Sequence, residues 1–204
     1  MTSRTLPLLA VLAALAACAP NGSPQTTQTA AAPAAVLERD VHSYARPGEA
    51  RVTHVDLDLR TDFAAKRLIG TAALDIHRRP DAQQIVLDTR DLTVSSVADG
   101  AGRPLEFTFG EAGPDPMGRP LHVKLRPDTR RVVVAYETAP GAAALQWLTP
   151  AQTAGKRHPY LFSQGQAILT RSWIPTQDSP GIRQTYSARI TVPEPLRAVM
   201  SAEA

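Results

Sequence analysis

The sequence predicts an all-β domain, a curved antiparallel β-sandwich or saddle, on three observations. Short runs that alternate apolar and polar residues recur between residues 50 and 192. Clusters of Pro, Gly and Asp separate these runs, as at Asp99-Gly100 and at residues 114–116. After residue 17 the sequence shows no helical period of useful length, apart from one short helical turn expected near residues 149–153. Many short strands at this spacing are typical of sandwiches and related curved β domains.

The expected strands can be justified in chain order. In the first, Val55, Leu57 and Leu59 alternate with Asp56 and Asp58, so the two aspartates are expected on a solvent face rather than as a catalytic carboxylate pair. The second run, residues 68–76, also places its apolar residues on one face of the expected strand. The expected strands from the second onward are residues 68–76, 85–87, 92–97, 105–109, 121–125, 132–136, 161–169 and 186–192.

Residues 1–17 have the pattern of a secretory signal. A polar start with Arg4 leads into an apolar run that is too short to span a bilayer. The ending LAAC at residues 15–18 is similar to the lipobox of bacterial lipoproteins, which makes Cys18 the expected site of lipidation. A plain signal peptide with an incidental cysteine is the alternative. The expected location is the bacterial cell envelope, with the exported protein lipid-anchored to a membrane and facing the periplasm.

Two further segments complete the expected organisation. Residues 18–38 are rich in Pro, Gly, Ser, Thr and Ala and predict a flexible tether, because they cannot bury enough apolar surface to order themselves. Residues 39–204 form the single β domain. The formal net charge of +3 comes from scattered basic residues, which argues against a nucleic-acid partner. A single cysteine leaves no internal disulfide.

The residues alone predict no catalytic group and no metal site. Five histidines are scattered, and none begins a His-Glu-x-x-His motif or lies in a close His/Cys cluster. His54 is expected to be an ordinary strand residue. The sequence also has no Gly-x-Ser-x-Gly elbow and no phosphate-cradling glycine loop.

The stretch from residue 144 onward is the most specific part of the sequence. It reads ALQWLTPAQTAGK over residues 144–156 and HPYLFSQGQAI over residues 158–168, and Arg171, Pro175 and Asp178 follow. This stretch resembles the N-terminal domain of leukotriene A(4) hydrolase and of related bacterial zinc aminopeptidases in peptidase family M1. The likeness is weaker but visible from about residue 40.

The resemblance implies a fold and an activity. The family's first domain is an all-β saddle, which agrees with the strands expected above. A catalytic domain follows it in the family and carries Gly-x-Met-Glu-Asn and His-Glu-x-x-His, with zinc as cofactor. Neither motif occurs here, so we expect the recognition domain without its catalytic domain, inactive alone and without a cofactor of its own. A stand-alone lipoprotein module that binds peptides or a protein partner is the alternative.

The resemblance also implies a binding site. Gln166 matches the position that helps hold the free amine of a peptide, and Gln164, expected on the same face of a buried strand, would bond the substrate backbone or neighbouring groups. Gly165 between them, part of the same implied binding site, would let two backbones approach. The implied partners are a peptide N-terminus, the family's catalytic domain and a membrane. The alternative is that both amides only satisfy buried backbone groups. Arg171 with Asp178 is expected to be a structural pair, and Trp173 a core or interface residue.

Overall fold

The all-β prediction is confirmed by the structure, a computed structural model that describes residues 40–203. Predictions for the signal, for Cys18 and for the tether lie outside these residues. In the part of the chain that the structure describes, no helix is long and apolar enough to cross a membrane. The elements are β1 (Ala50–Asp62), β2 (Arg67–Arg78), β3 (Gln84–Thr89), β4 (Thr93–Asp99), β5 (Phe107–Phe109), β6 (Arg119–Lys124), β7 (Arg131–Glu137), β8 (Leu145–Leu148), a 3-10 turn (Pro150–Gln152), β9 (Tyr160–Ser163), a second 3-10 turn (Thr170–Ser172) and β10 (Thr185–Thr191).

Between residues 40 and 203 the strands form three sheets. The largest has the order β10-β1-β2-β7-β4, the second has the order β3-β6-β5, and β8 pairs with β9. The pairings inside the sheets are antiparallel with one exception, since β10 runs parallel to β1 with His54 opposite Thr185. The expected antiparallel fold therefore has one parallel pairing, at this edge.

The core lies between the two larger sheets and follows the predicted alternation. Leu57 and Leu74 of the first sheet and Leu87 and Leu121 of the second are at most 1% exposed. Burying such a side chain contributes roughly 1.5–3 kcal/mol, so these facing residues hold the layers together. Asp56 points to the other face, as predicted.

On that outer face Asp56 forms an ion pair with Arg131 rather than a carboxylate dyad with Asp58. Arg131 bonds Asp56 and Asp75, each at 2.8 Å. His54 is a strand residue, as expected, and its ring nitrogens lie 2.7 Å from the hydroxyl of Thr185 and 3.0 Å from that of Ser187. The contacts of His54 therefore link the side chains of β1 and β10.

A strap formed by residues 40–46 is fixed to β3 through Asp88. The Asp88 carboxylate accepts hydrogen bonds from the Ser43 hydroxyl (2.6 Å), the Tyr44 N–H (2.8 Å) and the Asp178 N–H (2.9 Å). Burial raises the pKa of Asp88, and the charge of Arg171 and these hydrogen bonds oppose that rise. The strap and the loop around residue 178 are thus tied to one buried carboxyl.

The same strap is held at its start by Asp40. The Ser179 hydroxyl donates to the Asp40 carboxylate at 2.7 Å, and the His42 N–H donates at 2.8 Å. These bonds lower the pKa of Asp40 below its ordinary value, the Ser179 bond being the main cause.

Gln177 is a buried polar residue whose role the sequence did not single out. The amide oxygen accepts the Val52 N–H at 2.9 Å, and the amide nitrogen donates to the carbonyls of Ala50 (2.9 Å) and Val86 (3.2 Å). One side chain therefore satisfies backbone groups of β1 and β3 together. Its position beside Asp178 was the one available signal.

Candidate functional site

The predicted binding residues follow the short β8–β9 ladder. Leu145 of β8 pairs with Ser163 of β9, and Leu148 pairs with Tyr160. The strand β9 ends at Ser163. Residues 164–166, called the glutamine turn below, leave the sheet. The predicted strand at residues 161–169 is therefore wrong beyond Ser163, and so is the expectation that both glutamines share one face of a buried strand.

Gln164 is exposed and has its carboxamide oxygen engaged. Its backbone N–H donates to the Ala144 carbonyl at 2.8 Å, which extends the contact with β8 by one residue. Its side-chain oxygen accepts the backbone N–H of Gln166 at 3.1 Å. The carboxamide NH2 group then remains as the donor that Gln164 can offer to a ligand.

Gln166 is exposed, and its carboxamide has no hydrogen-bond partner among the described residues. The peptide bond between Gln166 and Ala167 is cis. A carboxamide oxygen can accept from an ammonium group while the side chain itself stays neutral. Of the two glutamines, Gln166 is therefore the one with its acceptor free.

Among the described residues, the side chains of Gln164 and Gln166 do not satisfy buried backbone groups, which was the alternative role. Gln164 bonds the N–H of Gln166, an exposed residue, and the amide of Gln166 bonds no backbone group. The glutamine that satisfies buried backbone groups is Gln177.

Gly165 is held against Thr170. A Cβ placed on Gly165 would lie 2.4 Å from the Thr170 hydroxyl oxygen, a distance at which one of the two groups must shift. The neighbour that comes closest to Gly165 is this side-chain oxygen and not a second backbone segment, as had been expected. The Gly165 carbonyl also accepts the Leu169 N–H at 2.8 Å.

An apolar face adjoins the glutamine turn. Tyr160 and Phe162 lie two residues apart on β9 and therefore on one face, and they are 53% and 45% exposed. Aromatic side chains of this size are usually covered. Beside them lies a cleft of about 200 Å³, lined among others by Phe63, Leu161 and Trp173.

Arg171 and Asp178 make the predicted structural contact, with Arg171 Nε 3.2 Å from Asp178 Oδ2. Trp173 packs against the core and its carbonyl accepts the Tyr136 hydroxyl at 2.8 Å. The pair lies just beyond the glutamine turn and fixes the segment that follows it.

A zinc ion does not fit the residues that the structure describes. Between residues 40 and 203, no three His, Cys, Asp or Glu side chains are grouped so that they could hold a metal. No step is therefore assigned to a metal on this part of the chain.

The fold and the turn match one family. Residues 51–203 match the Peptidase M1 N-terminal domain, so the chain belongs to that family. It is 39% identical over 169 residues to leukotriene A-4 hydrolase of Xenopus laevis, covering 80% of this chain and 27% of the relative. It is 38% identical over 185 residues to the leukotriene A-4 hydrolase homolog of Botryotinia fuckeliana, covering 85% of this chain and 28% of that relative.

Solved structures of similar proteins share this fold. Yeast LTA4 hydrolase in complex with bestatin matches with a TM-score of 0.72 and 28% identity, over 80% of this chain and 26% of that one. An M1 zinc metallopeptidase from Deinococcus radiodurans shares the fold, with a TM-score of 0.54 and 22% identity over 74% of this chain and 34% of that one. The chain spans about a quarter of the length of the curated relatives. The family match over residues 51–203 confirms the resemblance to the N-terminal domain of leukotriene A(4) hydrolase-like proteins.

Proposed function

We propose that this chain is the substrate-recognition domain of an exported aminopeptidase of the M1 type, and that Gln166 helps hold the free amine of a peptide. The observation that carries the proposal is the Gln166 carboxamide, exposed on a turn that backbone hydrogen bonds fix, with no partner among residues 40–203. A preorganised acceptor of this kind suits an ammonium group. Gln164 would add one donor for the adjacent peptide carbonyl.

The catalytic chemistry would come from an M1 catalytic domain docked beside the glutamine turn. Tyr160 and Phe162 supply exposed aromatic surface there, and aromatic residues are enriched where proteins bind one another. In the proposed assembly this domain binds and orients the peptide end, and the partner domain would hold the zinc that supplies the Lewis-acid chemistry.

Peptide-amine recognition can be tested on the chain itself by NMR. Chain labelled with 15N is titrated with L-leucinamide, which has a free amine, and with N-acetyl-L-leucinamide, which does not. We expect the side-chain amide signals of Gln166 and Gln164 to move with leucinamide alone. Gln83→Ala, a change at an exposed glutamine outside the glutamine turn, should leave the response intact, whereas Gln166→Ala should abolish it.

The results of this titration distinguish the recognition domain of an aminopeptidase from a stand-alone peptide-binding module. Equal shifts with both compounds, or none, would contradict amine recognition by this domain. A response to leucinamide without association with a purified M1 catalytic domain would favour the stand-alone peptide-binding module instead.

We also propose that Cys18 is acylated and anchors the protein to a membrane, on the basis of the LAAC ending of the signal-like segment. Each buried methylene of an acyl chain contributes about 0.8 kcal/mol, so several chains would keep the protein with the membrane fraction. Cys18→Ala should release it on cell fractionation, and equal solubility of the two forms would refute the anchor.

A further inference from the structure

Ser172 is a buried serine on the second 3-10 turn, and its exposed fraction is 1%. Its hydroxyl makes two hydrogen bonds. It accepts the Ala144 N–H at 2.9 Å and donates to the Leu169 carbonyl at 2.7 Å. The hydroxyl thus joins the residue that precedes β8 to the residue that precedes the 3-10 turn.

Both partners of Ser172 are themselves bonded to the glutamine turn. The Ala144 carbonyl accepts the N–H of Gln164 at 2.8 Å, and the Leu169 N–H donates to the carbonyl of Gly165 at 2.8 Å. Ala144 holds the start of the turn and Leu169 holds its middle. The Ser172 hydroxyl therefore connects these two anchors directly.

Apolar replacement of Ser172 would leave the Ala144 N–H without its acceptor. Ala144 is only 3% exposed, and a buried N–H without a partner is costly. The cheapest relief is a shift of the segment toward another acceptor or toward water, which would carry Gln164 and Gly165 with it. The position of Gln166 depends on these two residues.

We propose that Ser172 is a positioning residue of the amine site: its hydroxyl holds Ala144 and Leu169 so that the glutamine turn presents the Gln166 carboxamide in the binding orientation. The proposal rests on the amine recognition proposed above. Its distinguishing expectation is that loss of this one hydroxyl weakens amine binding more than loss of an equally buried hydroxyl elsewhere.

Ser43 provides the matched control. It is 4% exposed, and its hydroxyl also donates once, to Asp88 at 2.6 Å, and accepts once, from the Ala45 N–H at 3.0 Å. Ser43 lies on the strap and has no bond to the glutamine turn. Ser172→Ala and Ser43→Ala should therefore lose similar amounts of stability but differ at the site.

The experiment titrates full-length wild type, Ser172→Ala and Ser43→Ala with L-leucinamide and N-acetyl-L-leucinamide, and follows the Gln166 signals by NMR. We expect leucinamide to bind Ser172→Ala at least about fivefold more weakly than wild type, the effect of one lost hydrogen bond on the population of the competent turn. Ser43→Ala should bind as wild type does. Amide exchange at Gln164 and Leu169 should accelerate only in Ser172→Ala.

Equal affinity and equal amide exchange in Ser172→Ala and Ser43→Ala would overturn the positioning role. If Ser172→Ala does not fold, Ser172→Cys carries the same test, because the thiol keeps similar volume but is a weaker hydrogen-bonding group. If wild type itself ignores the amine, the proposed function fails, and amide exchange alone then decides whether Ser172 holds the turn.

Discussion

Replacing Arg171 by methionine removes the most heavily bonded buried charge in the described fold. The guanidinium is 0% exposed. It donates to the Asp178 carboxylate at 3.2 Å and to the carbonyls of Met117 (2.9 Å), His42 (2.8 Å) and Asp178 (3.0 Å), and it lies 3.7 Å from the buried Asp88 carboxylate. Methionine fills much of the same volume but makes none of these bonds.

The expected loss of unfolding free energy is about 3–5 kcal/mol, the usual effect of removing one partner of a buried ion pair. The reason is that Asp88 stays buried without a nearby positive charge, and three carbonyls lose a charged donor. Because whole domains are stable by only about 5–15 kcal/mol, the variant should be close to unfolding at ordinary temperature.

Urea unfolding followed by tryptophan fluorescence measures this loss, since Trp147 and Trp173 are both partly buried. Arg79→Met is the control, because Arg79 and its partner Asp81 are 63% and 67% exposed, and we expect little change from it. A loss below about 1 kcal/mol in Arg171→Met would refute the reasoning.

The pH dependence gives a second check with a defined sign. Burial already raises the pKa of Asp88, and removal of Arg171 should raise it further. A carboxyl whose folded pKa exceeds its unfolded pKa binds its proton more tightly in the folded state, so it stabilises the fold as the pH falls through that range. The deficit of Arg171→Met should therefore be smaller near pH 5 than at pH 7, and a larger deficit at pH 5 would contradict this account.

Three further predictions concern Gln166, Gly70 and Asp40. In a chimera that joins this chain to an M1 catalytic domain, Gln166→Ala should lower kcat/KM roughly 10- to 150-fold, the effect of one hydrogen bond of ~1.5–3 kcal/mol to a charged group, and Gln83→Ala should leave kcat/KM unchanged. Gly70→Ala should cost roughly 1–3 kcal/mol in urea unfolding, because the new Cβ would lie 2.0 Å from the Asp58 carbonyl oxygen on the neighbouring strand; wild-type stability would refute the clash. The pKa of Asp40 is lowered in the fold, so its carboxylate stabilises the fold above the unfolded pKa of about 4, and this stabilisation is lost as the pH falls from there through the folded pKa. Asp40→Asn should therefore lose less stability between pH 5 and pH 3 than wild type. An identical loss in the two proteins would contradict this.

Much of the fold could be predicted because alternation is a local signal. Val55, Leu57 and Leu59 show their buried face directly in the sequence. The parallel pairing of β10 could not be predicted in the same way, since the partner of a strand is not encoded in its own pattern. β8 was missed because LQWL at residues 145–148 is too short to show a period.

The candidate site was predicted by residue but not by geometry. Gln164, Gly165 and Gln166 came from the resemblance, which says nothing about local conformation. The apolar residues on both sides of the glutamines favoured one long strand over residues 161–169. What ends the strand is the contact of Gly165 with Thr170 and the bonds through Leu169, and no pattern in the sequence showed these.

The late position of β10 has a consequence during synthesis on the ribosome. His54 of β1 and Thr185 of β10 lie 131 residues apart, so β1 has no partner along one side while all the intervening residues are made. The open side of β1 offers a row of free N–H and C=O groups to other nascent chains. This exposure ends when residues 185–191 emerge and pair with residues 54–60.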